Sequence, residues 1–197
     1  MKNEEIYRDL FIKNTIRLVS EGGFEAATTS AIAGERREID NIRVNEAHIY
    51  RIFGTKAHLF AEVFSILDCE LLAAAGRGLE KFDKETDKRK QWEILFREMW
   101  DLFMEDESGC RYYVRYYYSA YFKGESLRAH NAKFKEFICD MTPLFVESAD
   151  VCAILQHVVT VILGFAVCVF NKSIPNDEDN RSHVFNVVYA SINPYLK

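Results

Sequence analysis

Val44-Asn-Glu-Ala-His-Ile-Tyr-Arg-Ile-Phe-Gly-Thr-Lys-Ala-His-Leu-Phe60 is the stretch that decides the reading of this chain. A short helix over about Asn45 to Phe53 ends in the aromatic-rich Tyr50-Arg51-Ile52-Phe53. Gly54 follows, a residue that takes the left-handed backbone closing a helix at little cost. Thr55 then offers a hydroxyl that can accept an unpaired amide proton at the start of the next helix, which Lys56 opens. Leu59, Phe60, Val63, Phe64, Leu67 and Leu71 recur at helical spacing to roughly Ala75.

The same logic extends upstream. Tyr7 to Glu21 carries Leu10, Phe11, Ile16, Leu18 and Val19 as one apolar stripe, and Gly22-Gly23 ends that helix. Thr28 is a good N-cap for a second helix whose buried face is Ile32 and Ala33. A charged run, Gly34 to Asp40, separates it from Asn41, which tolerates a turn conformation, and from Val44.

Downstream, Gly76 and Gly78 loosen the chain and Lys81 to Arg89 is almost wholly charged, which marks a boundary region. Helical windows follow at Gln91 to Met104, Gly109 to Lys123, Ser126 to Phe145, Ala149 to Asn171 and Glu178 to Tyr195. The three prolines, Pro143, Pro175 and Pro194, leave long windows free of helix breakers. No strand-like alternation or hairpin signal persists, and there is no internal repeat. The expectation is an all-α chain of about nine helices.

With 197 residues, 49% hydrophobic and 28% charged, the chain is an ordinary globular protein with room for one sizeable core or two modest ones. Its five cysteines are odd in number and form neither CxxC nor a His-Cys ligand spacing, so neither a disulfide framework nor a metal site is expected. The amino terminus lacks the basic-then-apolar order of a signal peptide, and a cytoplasmic location is expected. Val151 to Phe170 is nearly continuous apolar sequence, but Gln156, His157 and Thr160 interrupt it and acidic residues flank it. A helix buried on all sides, rather than a membrane span, is the expectation. The histidines at 48, 58, 130, 157 and 183 form no HExxH, and no nucleophile elbow occurs, so neither an enzyme nor a cofactor is expected.

The order helix, glycine turn, capped helix, short helix and Gly-Thr-Lys helix start resembles the DNA-binding part of the tetracycline-repressor (TetR) family. The residues that carry the resemblance are Gly23-Phe24-Glu-Ala-Ala-Thr28-Thr-Ser-Ala-Ile32-Ala33 and His48-Ile49-Tyr50-Arg51-Ile52-Phe53-Gly54-Thr55-Lys56-Ala57-His58-Leu59-Phe60. It implies a helix-turn-helix domain over residues 1–54 and a helical-bundle ligand-binding and dimerisation domain over 55–197. The function it implies is a ligand-responsive transcriptional regulator, a repressor, binding operator DNA as a homodimer.

By the family pattern Asn45, Glu46, Ala47 and His48 face base edges, Tyr50 and Lys56 bind phosphates, and Arg51 belongs to the same DNA-binding set. Thr28, Thr29 and Ser30 do the same for phosphate at the second helix start. Glu46 can accept from a cytosine amino group. The turn between Ala33 and Val44 is longer than the family's, and its extra residues either extend the second helix or bulge the turn. They include Arg36, Arg37 and Arg43, the densest basic set of the module. Through residue 60 the formal charges cancel, which requires the positive ones to be gathered on one face. That balance also favours the alternative, an all-helical small-molecule-binding or protein-interaction module without DNA binding.

Beyond the module the chain is unusually aromatic. Trp92, Phe96, Trp100 and Phe103 recur at helical spacing, and Tyr112, Tyr113, Tyr116, Tyr117, Tyr118, Tyr121 and Phe122 crowd one window. Such residues either pack helix on helix or line an apolar pocket with a few polar points. The resemblance places a pocket among the middle helices, with Trp92, Phe96, Trp100, Tyr113, Tyr117, Phe137, Met141 and His157 as its expected lining and an apolar or aromatic small molecule as effector. The surplus apolar surface of Val151 to Phe170 is expected to pair with the last helix across a twofold axis, with Val151, Leu155, Val158, Ile162, Val184, Val188 and Ile192 at the dimer interface. Gly164 permits close approach there.

Overall fold

The computed structural model describes residues 2–34, 38, 39 and 42–197. Among them are nine α-helices: α1 (Lys2–Ala26), α2 (Thr29–Ala33), α3 (Glu46–Phe53), α4 (Lys56–Phe82), α5 (Lys88–Glu105), α6 (Glu107–Tyr117), α7 (Glu125–Met141), α8 (Val151–Phe170) and α9 (Glu178–Ile192). The all-α class holds. One local difference lies in the long turn, where β1 (Glu38–Ile39) and β2 (Ile42–Arg43) pair antiparallel with Glu38 opposite Arg43. Gly34, at φ 77°, ends α2 at Ala33, so the helix is not lengthened. Strands of two residues are too short for alternation to show in a sequence.

Helix starts follow local chemistry. The Thr28 hydroxyl accepts from the Ala31 amide at 3.1 Å, and Thr55 accepts from His58 at 3.1 Å. Asp87, Asp150 and Asp177 cap α5, α8 and α9 in the same way. Helix α1 breaks at Gly23, as expected. Helix α4 runs past Ala75 to Phe82 because Gly78 is a packing residue rather than a breaker: a Cβ there would meet Leu95 Cδ1 at 2.7 Å and Leu95 Cα at 3.1 Å. Helix α7 stops at Met141, before a 3-10 turn that contains Pro143.

The chain packs as two compact units, residues 1–68 with 111–128, and residues 69–110 with 129–197. In the first, α1 packs on α2 and α3, and Phe11, Val19, Ile32, Ile49, Leu59 and Phe60 are fully buried. Phe60 lies 5.0 Å from Phe24 and 5.3 Å from Tyr121, ring to ring. The Tyr112 hydroxyl donates to the Phe60 carbonyl at 2.8 Å, and Tyr113 donates to Asp68 at 3.1 Å. Burial pushes both phenols well above their usual range, and the Asp68 charge adds to this at Tyr113, so both remain donors.

Thr15 is also fully buried there, with no hydrogen-bond partner for its hydroxyl among the described residues. Replacing it with the isosteric valine is therefore expected to raise the unfolding free energy by about 1 kcal/mol in urea titrations. A loss of stability instead would mean that the hydroxyl is bonded.

In the second unit α8 packs on α5 and α9. Trp92 sits between Phe82 and Phe145, each ring centre 5.6 Å away, and Phe96 stacks on Trp100 while meeting Phe185. The chain end is tied back, as the Val146 amide donates to the Tyr195 carbonyl at 2.9 Å.

Helix α8 differs from expectation. By length and composition it could cross a membrane, yet only 22% of its apolar window is buried. Val151, Val158, Ile162, Leu163 and Ala166 face inward, while Cys152, Ala153, Gln156, His157, Thr160, Gly164 and Cys168 are exposed. On α9, Val184, Val188 and Ile192 are buried and His183, Asn186, Val187 and Ala190 are exposed. Of the residues expected at a dimer interface, Val151, Val158, Ile162, Val184, Val188 and Ile192 are buried in the chain's own core, and Leu155 is half-buried. The exposed faces of the two helices are the opposite ones.

Candidate nucleic-acid interface

The first unit contains the successive helices α2 and α3, with α4 starting directly behind. Helix α3 is short because both its ends are locally specified. At its start the Asn45 side chain accepts from the Ala47 amide at 2.9 Å, and the Asn45 amide donates to His48 Nδ1 at 3.2 Å. This reciprocal capping satisfies two otherwise unpaired amides. At its end Gly54, at φ 74°, turns the chain, and its amide donates to the Tyr50 carbonyl at 2.9 Å. Ile49 and Phe53 are buried, which fixes the inward face.

The outward face carries Glu46, Ala47, Tyr50 and Arg51, all exposed, with Tyr50 at 52%. Lys56 is the first residue of α4, half-buried, with its ammonium 5.5 Å from the centre of the Phe60 ring. The ammonium thus lies over the aromatic face, at a helix start that is already electropositive. An anion meeting this surface would find Lys56, Arg51 and the Tyr50 hydroxyl near one another in sequence on exposed turns.

Other expected contacts are placed differently. His48 is half-buried: Nδ1 lies 3.2 Å from the Asn45 amide and 3.3 Å from the Asn45 carbonyl, and the ring lies edge-on to Tyr7 at 5.0 Å, so Nδ1 is engaged within the helix start. Thr28 is committed as the cap of α2. Thr29 donates to the Glu46 carboxylate. Ser30 is exposed. Arg36 and Arg37 lie outside the described residues, as does the side chain of Arg43.

Two contributors were not legible in the sequence. Tyr7 supports the α3 histidine from α1, and Arg8 links α1 to α4 through Glu62 at 2.6 Å with its guanidinium 5.2 Å from the Phe53 ring. Both depend on helices distant in sequence.

The expected effector-lining residues divide between the units. Trp92, Phe96, Trp100 and Met141 are buried in the second, with Phe137 half-buried. Tyr113 and Tyr117 belong to the first, their rings stacked at 6.2 Å. His157 is exposed on the outer face of α8, which corrects its place among apolar lining residues: Gln156 and Thr160 flank it there, and the helix turns its side chain away from the core.

The family model for bacterial regulatory proteins of the tetR family matches residues 11–63, a span that contains α2, α3 and the start of α4. No curated protein sequence matches the chain significantly. Among solved structures, a TetR-family transcription regulator from Marinobacter aquaeolei VT8 is similar with a TM-score of 0.74 at 17% identity, over 96% of this chain and 97% of that one. A TetR-family regulator from Shewanella sp. PV-4 gives 0.73 at 14%, over 97% and 98%. The transcriptional regulator FadR from Bacillus subtilis, solved with stearoyl-CoA, gives 0.64 at 15%, over 93% and 98%. At these identities the structural likeness speaks for the fold, and the matched residues speak for the family. Residues 11–63 thus match the amino-terminal domain of the tetR family, within a chain whose fold is that of TetR-family regulators.

Proposed function

We propose that this protein is a ligand-responsive transcriptional repressor that binds operator DNA as a homodimer in the cytoplasm. The observation that carries the reading is the outward face of α3 together with the start of α4: a capped recognition helix presenting Glu46, Ala47, Tyr50 and Arg51, with Lys56 at the next helix start. Residues 1–54 do the DNA reading, and residues 55–197 sense the effector and dimerise. In a dimer the two copies of α3 enter successive major grooves, about 34 Å apart.

The second copy docks on the exposed faces of α8 and α9. An apolar helix with so little of its surface buried in its own chain needs a cover, and Thr160 and Gly164 allow two such helices to approach closely. The effector is an apolar or aromatic small molecule. The likeness to a regulator solved with stearoyl-CoA supports an effector of that character. It acts by binding one dimer geometry more tightly than the other, since a ligand shifts such an equilibrium only by its differential affinity.

Mobility shifts on DNA flanking its own gene, at several salt concentrations, test the reading. Lys56→Ala and Tyr50→Phe are expected to weaken binding to all sequences alike, and Lys56→Ala to lower the salt slope by about 1. Absence of specific binding even at low salt would leave a helical ligand-binding module without DNA binding.

A further inference from the structure

The Thr29 hydroxyl donates to Glu46 Oε2 at 2.5 Å. Thr29 is the first residue of α2 and Glu46 the first of α3, so the bond ties together the starts of the two helices of the pair. It also spends the hydroxyl that would otherwise be offered to a phosphate. Glu46 is exposed, and an exposed glutamate with no partner would sample many rotamers. Here one carboxylate oxygen is held and the other, Oε1, remains an acceptor.

An ionised carboxylate only accepts hydrogen bonds. In the major groove cytosine presents the N4 amino donor alone, whereas adenine presents its N6 donor beside the N7 acceptor, and guanine and thymine present only acceptors there. A fixed acceptor with a full negative charge therefore fits cytosine, meets a repulsive lone pair at adenine N7, and is rejected by guanine and thymine. It is equally unsuited to phosphate. Both groups that could give Glu46 a role on DNA thus reduce to one.

We propose that Glu46 selects a cytosine in the operator and that Thr29 is its positioning residue. The inference rests on the DNA-binding reading above, and the experiment separates the two. Duplexes are selected from a randomised pool by the full-length protein at one fixed salt concentration. The wild type is expected to enrich a motif with one position at which cytosine is favoured on the order of tenfold. Glu46→Gln is expected to move that single position from cytosine to adenine, because an amide side chain pairs with adenine N6 and N7, and to leave the other positions alone. Thr29→Val, which keeps the shape and removes the donor, is expected to reduce the preference at the same position several-fold, while Thr29→Ser retains it. A Glu46→Gln motif identical to the wild-type one overturns the base-reading role. An undiminished preference in Thr29→Val overturns the positioning role. Failure of the wild type to enrich any sequence overturns the DNA-binding reading itself, and this inference with it.

Discussion

Phe60→Ala is expected to lower the unfolding free energy by about 3–5 kcal/mol, read from denaturant midpoints at unchanged slope. The ring is fully buried, its edge-and-face contacts with Phe24 and Tyr121 lie near 5 Å, and its own carbonyl receives the Tyr112 hydroxyl. Truncation would leave a cavity that three helical segments cannot close, and would expose the aromatic side chains around it to misalignment. The methionine replacement, which fills much of the space, should cost well under half as much. A loss below about 1 kcal/mol for the alanine variant would mean that this cluster repacks and is not the centre of its unit. The same substitution also bears on the proposed DNA binding, because the Lys56 ammonium lies over that ring at the start of α4.

Thr160→Glu is expected to weaken self-association by on the order of a hundredfold while leaving the stability of the single chain unchanged. Thr160 is exposed within the chain and lies midway along the outward stripe of α8, between Gln156 and Gly164. In a twofold interface the new carboxylate would be buried without a partner, and close to its own symmetry mate. Ile162→Ala should behave in the opposite manner: its side chain is fully buried in the chain, so the cost of about 2–5 kcal/mol falls on folding. Sedimentation of both variants beside the wild type decides it. A wild-type monomer at tens of micromolar would remove the dimer, and a dimeric Thr160→Glu would place the interface elsewhere.

These two substitutions mark where sequence reading succeeds and where it stops. Phe60 follows a cap, a lysine and an apolar spacing that are all local, and its burial could be read directly from them. The caps at Thr28 and Thr55 were legible for the same reason, as was the break at Gly23, whereas Asn45, read as the first residue of its helix, is its cap. Gly78 was not, because a glycine that breaks a helix and one that admits a neighbouring helix look alike until Leu95 is in place. The Glu46 carboxylate could be assigned to cytosine by chemistry alone, but its anchor on Thr29 depends on how α2 meets α3.

By itself the sequence determined the helical class, the number and approximate limits of the helices, the short α3 and the family resemblance, because hydrogen bonding at helix ends and apolar spacing act over a few residues. The tertiary structure decided which faces remain open. Helix α8 is apolar nearly all round, so its pattern prefers no direction; packing against α5 and α9 turns Ile162 and Val158 inward and leaves Thr160, Gly164 and His157 outside. It also decided that the long turn pairs as a ribbon, since strand pairing is a property of two segments and not of either alone.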